Sequence, residues 1–318
     1  MRDTVIKVIT EAARKDRDIM FLSADFGAPA LDVFRRDLPN QFVQTGIAEQ
    51  HMIDLAAGLA LSGKKVFCYA MAPFITCRCY EQIKCSLSAM NLPVTLIGVG
   101  VGLGYDSSSM THIAVEDIAI MRAINHLEIL TPADNVMAEM MARLAIEKPA
   151  LRYLRLDRQS QPTIYGLANP YTGSRLDCGF NKLRDGHITT IIACGNLVHS
   201  ALAASQSINP HNVQAYKIGV IDLYRVKPIS GVLLAEMLSD VGSILTVEEQ
   251  LLEGGMGAAV IEALVEATGG LRWKVKRLGL RDGFSLINGD RKDLHLHFGI
   301  DSQRIEDTIW RAAQYICT

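Results

Sequence analysis

The sequence predicts an α/β protein built as two parallel-sheet domains in tandem, and three observations carry that expectation. Short apolar runs bounded by Gly, Pro, Asn or Ser alternate with stretches of helical apolar spacing, the pattern of a mainly parallel sheet covered on both faces. The alternation lapses once, over residues 159–186, where Gln, Pro, Asn, Gly and Ser replace the apolar periodicity. The length of 318 residues suits two domains at about 150 residues each. We therefore expect a first domain over 1–160, a linker over 161–186 and a second, smaller domain over 187–318.

Val5, Ile6, Val8, Ile9, Ala12 and Ala13 recur at helical spacing, and the run Ile19 to Leu22 reads as a buried strand feeding the loop Ser23-Ala24-Asp25-Phe26-Gly27. From Glu49, the residues Ile53, Ala56, Ala57, Leu59 and Ala60 predict a helix stopped by Ser62-Gly63, followed by a strand over Val66 to Met71. Pro73 suits the first turn of a further helix, which Asn91-Leu92-Pro93 closes. Val94 to Gly98, Leu127 to Leu130 and Leu151 to Leu156 are the next strands, separated by helices over Val115 to Ile124 and Asn135 to Ile146. Beyond the linker, strands over Thr189 to Ala193, Val213 to Ile218, Ile244 to Val247 and Val275 to Leu278 alternate with helices over Leu197 to Ser207, Ser230 to Leu238 and Met256 to Ala267. A last helix runs from Gln303.

A composition of 49% hydrophobic and 21% charged residues supplies a sizeable core and excludes a disordered or low-complexity chain. The net charge of −2 gives no general reason to bind nucleic acid or an anionic membrane, so any phosphate binding must be local. Apolar stretches such as Leu92 to Val101 are broken by Gly or Pro and fall short of the ~20 residues that span a bilayer. Met1-Arg2-Asp3-Thr4 runs straight into an amphipathic pattern with no apolar signal core, which makes the cytoplasm the expected location. The 7 cysteines show no C-x-x-C pair and no His at zinc spacing, so they read as reduced core residues with no metal cluster. The run Gly98 to Gly104 lacks the third glycine of G-x-G-x-x-G and is expected to let backbone approach a ligand or another chain closely.

Thr45-Gly46-Ile47-Ala48-Glu49-Gln50-His51-Met52 places one carboxylate at a helix start among apolar neighbours. Taken alone, Glu49 is either a complement to the helix dipole or a functional acid. The strings G-I-A-E-Q-H-M, A-A-G-L-A, R-C-Y-E-Q-I-K, L-P-V, M-T-H-I-A-V-E-D-I-A-I-M-R-A-I and L-T-P-A-D then follow in one order. Together they resemble the transketolase family, particularly the pyrimidine-binding and C-terminal domains of transketolase and deoxyxylulose phosphate synthase. The resemblance continues through Ala193-Cys194-Gly195-Asn196, Val220-Ile221-Asp222 with Lys227-Pro228, Thr246-Val247-Glu248-Glu249-Gln250 and Gly254-Gly255-Met256-Gly257, and so covers nearly the whole chain.

The resemblance implies a thiamine-diphosphate enzyme that moves a two-carbon ketol unit from a ketose or ketose phosphate to an aldehyde. Family members hold the diphosphate and its Mg²⁺ or Ca²⁺ on a Gly-Asp-Gly motif in a separate N-terminal domain. This sequence has no such motif; its nearest string, Asn288-Gly289-Asp290-Arg291, carries Arg where the second Gly belongs. The expectation is one subunit of a split enzyme, inactive alone, with a partner subunit supplying the metal site and a heterotetramer of two copies of each. Two alternatives are a decarboxylating subunit resembling deoxyxylulose phosphate synthase or a 2-oxoacid dehydrogenase, and a non-catalytic regulatory or scaffolding subunit that kept the fold.

By the resemblance, Glu49 is the catalytic acid that hydrogen-bonds the aminopyrimidine ring and favours its reactive tautomer, and an apolar niche would keep it protonated. Phe74 would stack on that ring, with Ile75 its rival should the alignment slip by one residue. Arg78 either faces the cofactor or substrate or pairs with Glu81. His112, in the Thr111-His112 pair, would contact substrate hydroxyls and act in catalysis. Asp106 would take the family's acidic substrate-loop role, Arg158 would bind a substrate phosphate, and Arg2 would assist it. His51 is expected to pack or hydrogen-bond within its helix, outside the site. Ala28 falls where many transketolases have a phosphate-contacting Ser, and Val99 or Gly100 falls where they have an early His, so sugar recognition is expected to differ from that of pentose phosphates.

Overall fold

A computed structural model describes residues 1–24, 27, 29–108, 110–166, 176–208, 217–281 and 289–314. The first unit comprises α1 (Arg2–Ala13), β1 (Ile19–Ala24), α2 (Ala30–Asp37), β2 (Phe42–Gly46), α3 (Glu49–Leu61), β3 (Lys65–Met71), α4 (Ala72–Ile75), α5 (Tyr80–Gln82), a π turn (Ile83–Ser88), β4 (Val94–Val99), α6 (Asp117–Arg122), β5 (Glu128–Leu130), α7 (Asn135–Glu147) and β6 (Arg152–Leu156). The second comprises β7 (Asn181–Arg184), β8 (Thr189–Ala193), α8 (Leu197–Ile208), β9 (Ile218–Asp222), β10 (Arg225–Lys227), α9 (Gly231–Met237), β11 (Ser243–Leu251), α10 (Met256–Thr268), β12 (Lys274–Leu280), α11 (Arg291–Phe298) and α12 (Ser302–Gln314).

Each unit folds around a mostly parallel sheet, as the alternation predicts. The first sheet has seven strands in the order β10-β5-β6-β4-β3-β1-β2, and the second has five in the order β12-β11-β8-β9-β7. Every residue of β1, β4 and β6 is buried, because helices cover both faces. On one face α1 buries Val5, Ile6 and Ile9 against α7, which turns Met137, Met141 and Ala145 inward. No helix among the described residues is long and apolar enough to cross a membrane.

Several elements depart from the sequence expectation. The helix expected from Pro73 to Asn91 is broken into α4, α5 and the π turn. Thr76 accounts for the first break: its hydroxyl donates to the Ala72 carbonyl at 2.6 Å, and its backbone leaves helical geometry at ψ −80°. The second sheet begins within the stretch read as linker, because β7 pairs antiparallel with β9. Three residues of the second unit, β10, instead extend the first sheet by pairing antiparallel with β5. Strand β9 starts at Ile218; most of the segment from Val213 expected to precede it lies outside the described residues, as do Ala28 and Cys317.

A strap also joins the units. The backbone N–H groups of Ile164 and Tyr165 donate to Asp134 Oδ2 at 2.7 and 2.8 Å, and the buried Tyr165 hydroxyl donates to Asp222 Oδ2 at 2.6 Å. Asp222 Oδ1 has no partner among the described residues. Burial pushes the Asp222 carboxyl up to about 7, against the pull of the Tyr165 hydroxyl and with added repulsion from Asp134. An acid raised in the folded state holds its proton there preferentially, so its stabilising contribution is complete below about pH 4 and lost as pH rises through about 7. Asp222→Asn is therefore expected to make the thermal midpoint less pH-dependent than wild type between about pH 5.5 and 8. Identical slopes in parallel melting curves would contradict this.

Candidate active site

Four loops that carry the sequence-predicted residues leave the C-terminal ends of parallel strands β2, β3, β4 and β6 along one edge of the first sheet, where open α/β sheets place their ligand crevices. The β2 end turns through Gly46, at φ +71°, into the first turn of α3, which begins at Glu49. Glu49 is 5% exposed, whereas Ile47 just before it is 79% exposed.

Arg78 Nη1 donates to Glu49 Oε2 at 2.6 Å, so the niche is ionic on one side and not purely apolar. Arg78 pairs with this acid and not with Glu81. Its guanidinium also lies over the Phe74 ring, with Cζ 4.1 Å from the centroid, a cation–π contact. Phe74 is half-buried, while its neighbour Ile75 is fully buried in the core, so Phe74 is the residue turned toward the site. The His112 ring meets Phe74 edge-on at 5.4 Å between centroids and Tyr105 at 6.2 Å, and its Nδ1 lies 2.8 Å from Thr111 Oγ1. Beyond it, Arg158 Cζ stands 5.0 Å over the Tyr105 ring. Glu49, Arg78, Phe74, His112, Tyr105 and Arg158 thus form one continuous run of contacts from a buried acid to an exposed guanidinium.

Arg2 approaches the same end from α1. Burial pushes the Tyr105 phenol up from its ordinary value, and Arg158 and Arg2 each pull it partly back. Burial likewise raises Tyr69, with Arg2 again the opposing cation. Arg158 is thus in contact with the Tyr105 ring, while Arg2 acts on that phenol only through its charge. Arg2 is also held by Asp3, at 2.7 Å.

Asp106 stands apart from this run. Its Oδ1 accepts from Ser107 N at 2.8 Å and its Oδ2 from Arg291 N at 3.1 Å, so both oxygens serve backbone groups. His51 is exposed on the surface of α3 and is not packed into the core. Within the glycine run, close approach is made by groups of the chain itself: a Cβ at Gly100 would lie 1.9 Å from the Tyr105 ring, and one at Gly102 would lie 2.2 Å from Glu249 Oε2.

Beneath the loops, Asp117 and Arg155 form a fully buried pair. Arg155 Nε and Nη2 donate to Asp117 Oδ2 and Oδ1 at 2.8 and 3.0 Å, Tyr153 Oη donates to Oδ2 at 2.8 Å, and Arg155 Nη1 reaches Thr131 Oγ1 at 3.2 Å. Sequence reasoning missed Tyr105, which lies in a run of Ser with no periodicity, and the cross-unit partners Glu249 and Arg291. Glu249 and Arg291 had appeared only inside strings, Thr246-Val247-Glu248-Glu249-Gln250 and Asn288-Gly289-Asp290-Arg291, with no role attached to either. No group of three or more His, Cys, Asp or Glu among the described residues is arranged to hold a metal ion.

Residues 1–163 match the profile described as transketolase, pyrimidine binding domain, and residues 179–305 match transketolase, C-terminal domain. The chain belongs to the transketolase family. Among curated relatives of this transketolase-family chain, an apulose-4-phosphate transketolase subunit of Phocaeicola vulgatus is 33% identical over 310 residues, covering 96% of this chain and 94% of that protein. The 6-deoxy-6-sulfo-D-fructose transketolase subunit SqwH of a Clostridium species is 30% identical over 308 residues, covering 96% and 92%. A 1-deoxy-D-xylulose-5-phosphate synthase of Caldanaerobacter subterraneus is 32% identical over 316 residues, but the match spans only 48% of that longer protein. A solved structure described as a split gene transketolase, inactive beta4 tetramer, superposes with a TM-score of 0.85 at 27% identity, covering 98% of this chain and 97% of that one.

The geometry separates a buried, ion-paired arginine from an exposed one. Asp117→Asn leaves the Arg155 cation buried with a weakened partner, and the expected destabilisation is about 3–5 kcal/mol. Arg158→Ala, at an exposed position, is expected to change stability by less than about 0.5 kcal/mol. Denaturant midpoints check both, and equal losses would contradict the division.

Proposed function

We propose that this chain is the pyrimidine-domain and C-terminal-domain subunit of a split, thiamine-diphosphate-dependent transketolase. A first domain over 1–160 is part of this proposal, with the second domain opening at β7 instead of at residue 187. A partner subunit with a Gly-Asp-Gly motif would hold the diphosphate and its Mg²⁺ or Ca²⁺, in a cytoplasmic heterotetramer of two copies of each subunit. The pair would transfer a two-carbon ketol unit from a ketose carrying a terminal tetrahedral anion to an aldehyde.

The observation that carries this proposal is the unbroken run from Glu49 through Phe74 and His112 to Arg158. The residues suit the pyrimidine half of the cofactor: Glu49 Oε1 has no protein partner among the described residues, and the Phe74 ring is half-buried beside it. When bound, thiamine diphosphate supplies a carbon acid whose deprotonated form attacks carbonyl groups. Glu49 would orient the aminopyrimidine by a hydrogen bond between its buried carboxyl and the ring. Phe74 would set the ring plane by flat apolar contact, and Arg78 would share Glu49 and border the substrate. His112, edge-on to both aromatic rings, would exchange hydrogen bonds with substrate hydroxyls as charge moves. Arg158 and Arg2 would bind the anionic end, with Asp106 holding the loop between them.

The names of the relatives support the anionic end: one acts on a sugar phosphate and another on a sulfo sugar, both bearing tetrahedral anions. A decarboxylating activity is the second possibility, because the synthase relative matches at similar identity. Co-expression with a Gly-Asp-Gly partner, thiamine diphosphate and Mg²⁺, followed by assays with ketose phosphates and with 2-oxoacids, separates the two. We expect ketol transfer without carbon dioxide release from the pair and no activity from the chain alone. Glu49→Gln should keep the fold and lose at least about 100-fold in transfer rate. Full activity of that variant or of the isolated chain would overturn the proposal, and carbon dioxide release would replace it with the decarboxylating one.

A further inference from the structure

The second unit reaches the scaffold of the candidate site through a buried ion pair, Arg291 with Glu249. Arg291, at the start of α11, is buried and donates in two directions. Nη1 reaches both oxygens of Asp157 at 2.9 and 2.7 Å, while Nε and Nη2 reach Glu249 Oε1 and Oε2 at 2.7 and 2.6 Å. Its backbone N–H donates to Asp106 Oδ2. Glu249 is the hub on the other side: it accepts from Asn196 Nδ2 at 2.9 Å and from Leu103 N at 3.3 Å, and it pairs with His295 Nε2.

The three positions contacted in the first unit lie close in sequence to the substrate end. Asp157 immediately precedes Arg158, Asp106 immediately follows Tyr105, and Leu103 opens the loop that leads to His112. Gly102, at φ +59°, lies so close to Glu249 that no side chain fits between them. The cofactor end differs: Glu49, Phe74 and Arg78 make no hydrogen bond to this cluster among the described residues. Three ionised groups buried together are tolerated only while their geometry satisfies them all, and a planar guanidinium fork can do this where a lysine cannot.

We infer that Arg291 is a positioning residue for the substrate end of the site: it fixes the loop bearing Tyr105 and His112 against the strand end bearing Arg158, so that the second unit sets substrate affinity without touching substrate. The purpose of this clamp rests on the transketolase proposal; its mechanics do not.

Two variants test it, Arg291→Lys and Asp157→Asn, each read by hydrogen exchange on the full chain and by kinetics in the assembled pair. In both variants, amide exchange over residues 98–112 should rise about tenfold while α3 and α4 exchange as in wild type. KM for a ketose phosphate should rise about tenfold, with kcat within about threefold and thiamine diphosphate half-saturation unchanged. The double variant should lose little more than Arg291→Lys alone, because the two substitutions cut the same link. Unchanged exchange over 98–112 in both variants would overturn the inference, as would a parallel loss of cofactor affinity, which marks general loosening. If one variant fails to fold, the other decides the matter. A wild-type pair with no ketol transfer would count against the functional proposal, and the exchange data would still decide whether Arg291 holds the loop.

Discussion

The buried pair between Asp117 and Arg155 is the interaction on which the rest of the site depends. Arg155 belongs to β6, three residues before Arg158, and Asp117 opens α6, five residues after His112. Both are essentially inaccessible to water, so neither charge is tolerable without the other. The pair therefore sets the distance between the strand that delivers the outer guanidinium and the loop that delivers the imidazole. Tyr153 and Thr131 complete its hydrogen bonding and leave it one low-energy arrangement.

Around that anchor, the loop from Gly98 to His112 is held by close approach. Tyr105 lies on Gly100, where any side chain would occupy its ring, and Glu249 lies on Gly102. Two positive-φ glycines thus let one aromatic ring and one carboxylate of the second unit close on the loop from two sides. The strand β10 and the Tyr165 strap add two further ties between the units. A site at the edge of the first sheet is in this way braced by groups more than 100 residues distant in the chain.

The sequence makes the sheets legible because parallel strands covered on both faces are buried throughout and so mostly apolar, as β1 and β4 are, while β6 is buried along its whole length despite Arg152 and Arg155. Glu49 is legible for a related reason: a carboxylate at the start of an apolar helix is conspicuous. Short strands are not. β10 is Arg-Val-Lys, too brief to show a period of two, and β7 hides in a polar stretch that reads as linker. The break after α4 turns on one threonine hydroxyl competing for a carbonyl, which no periodicity records. The Arg291 cluster joins residues separated by 42 and 134 positions, and such pairing has no local signature.

The central claim is that Glu49 presents a buried acid to the pyrimidine half of a cofactor shared with a second polypeptide. Its most direct test is the distance from the Glu49 carboxyl to the pyrimidine ring nitrogen in a crystal structure of the assembled pair with thiamine diphosphate. We predict a hydrogen bond of about 2.6–3.2 Å to Glu49, with the Phe74 ring against the heterocycle. A Glu49 carboxyl turned to solvent, or engaged only by Arg78 while the heterocycle lies elsewhere, would contradict the account.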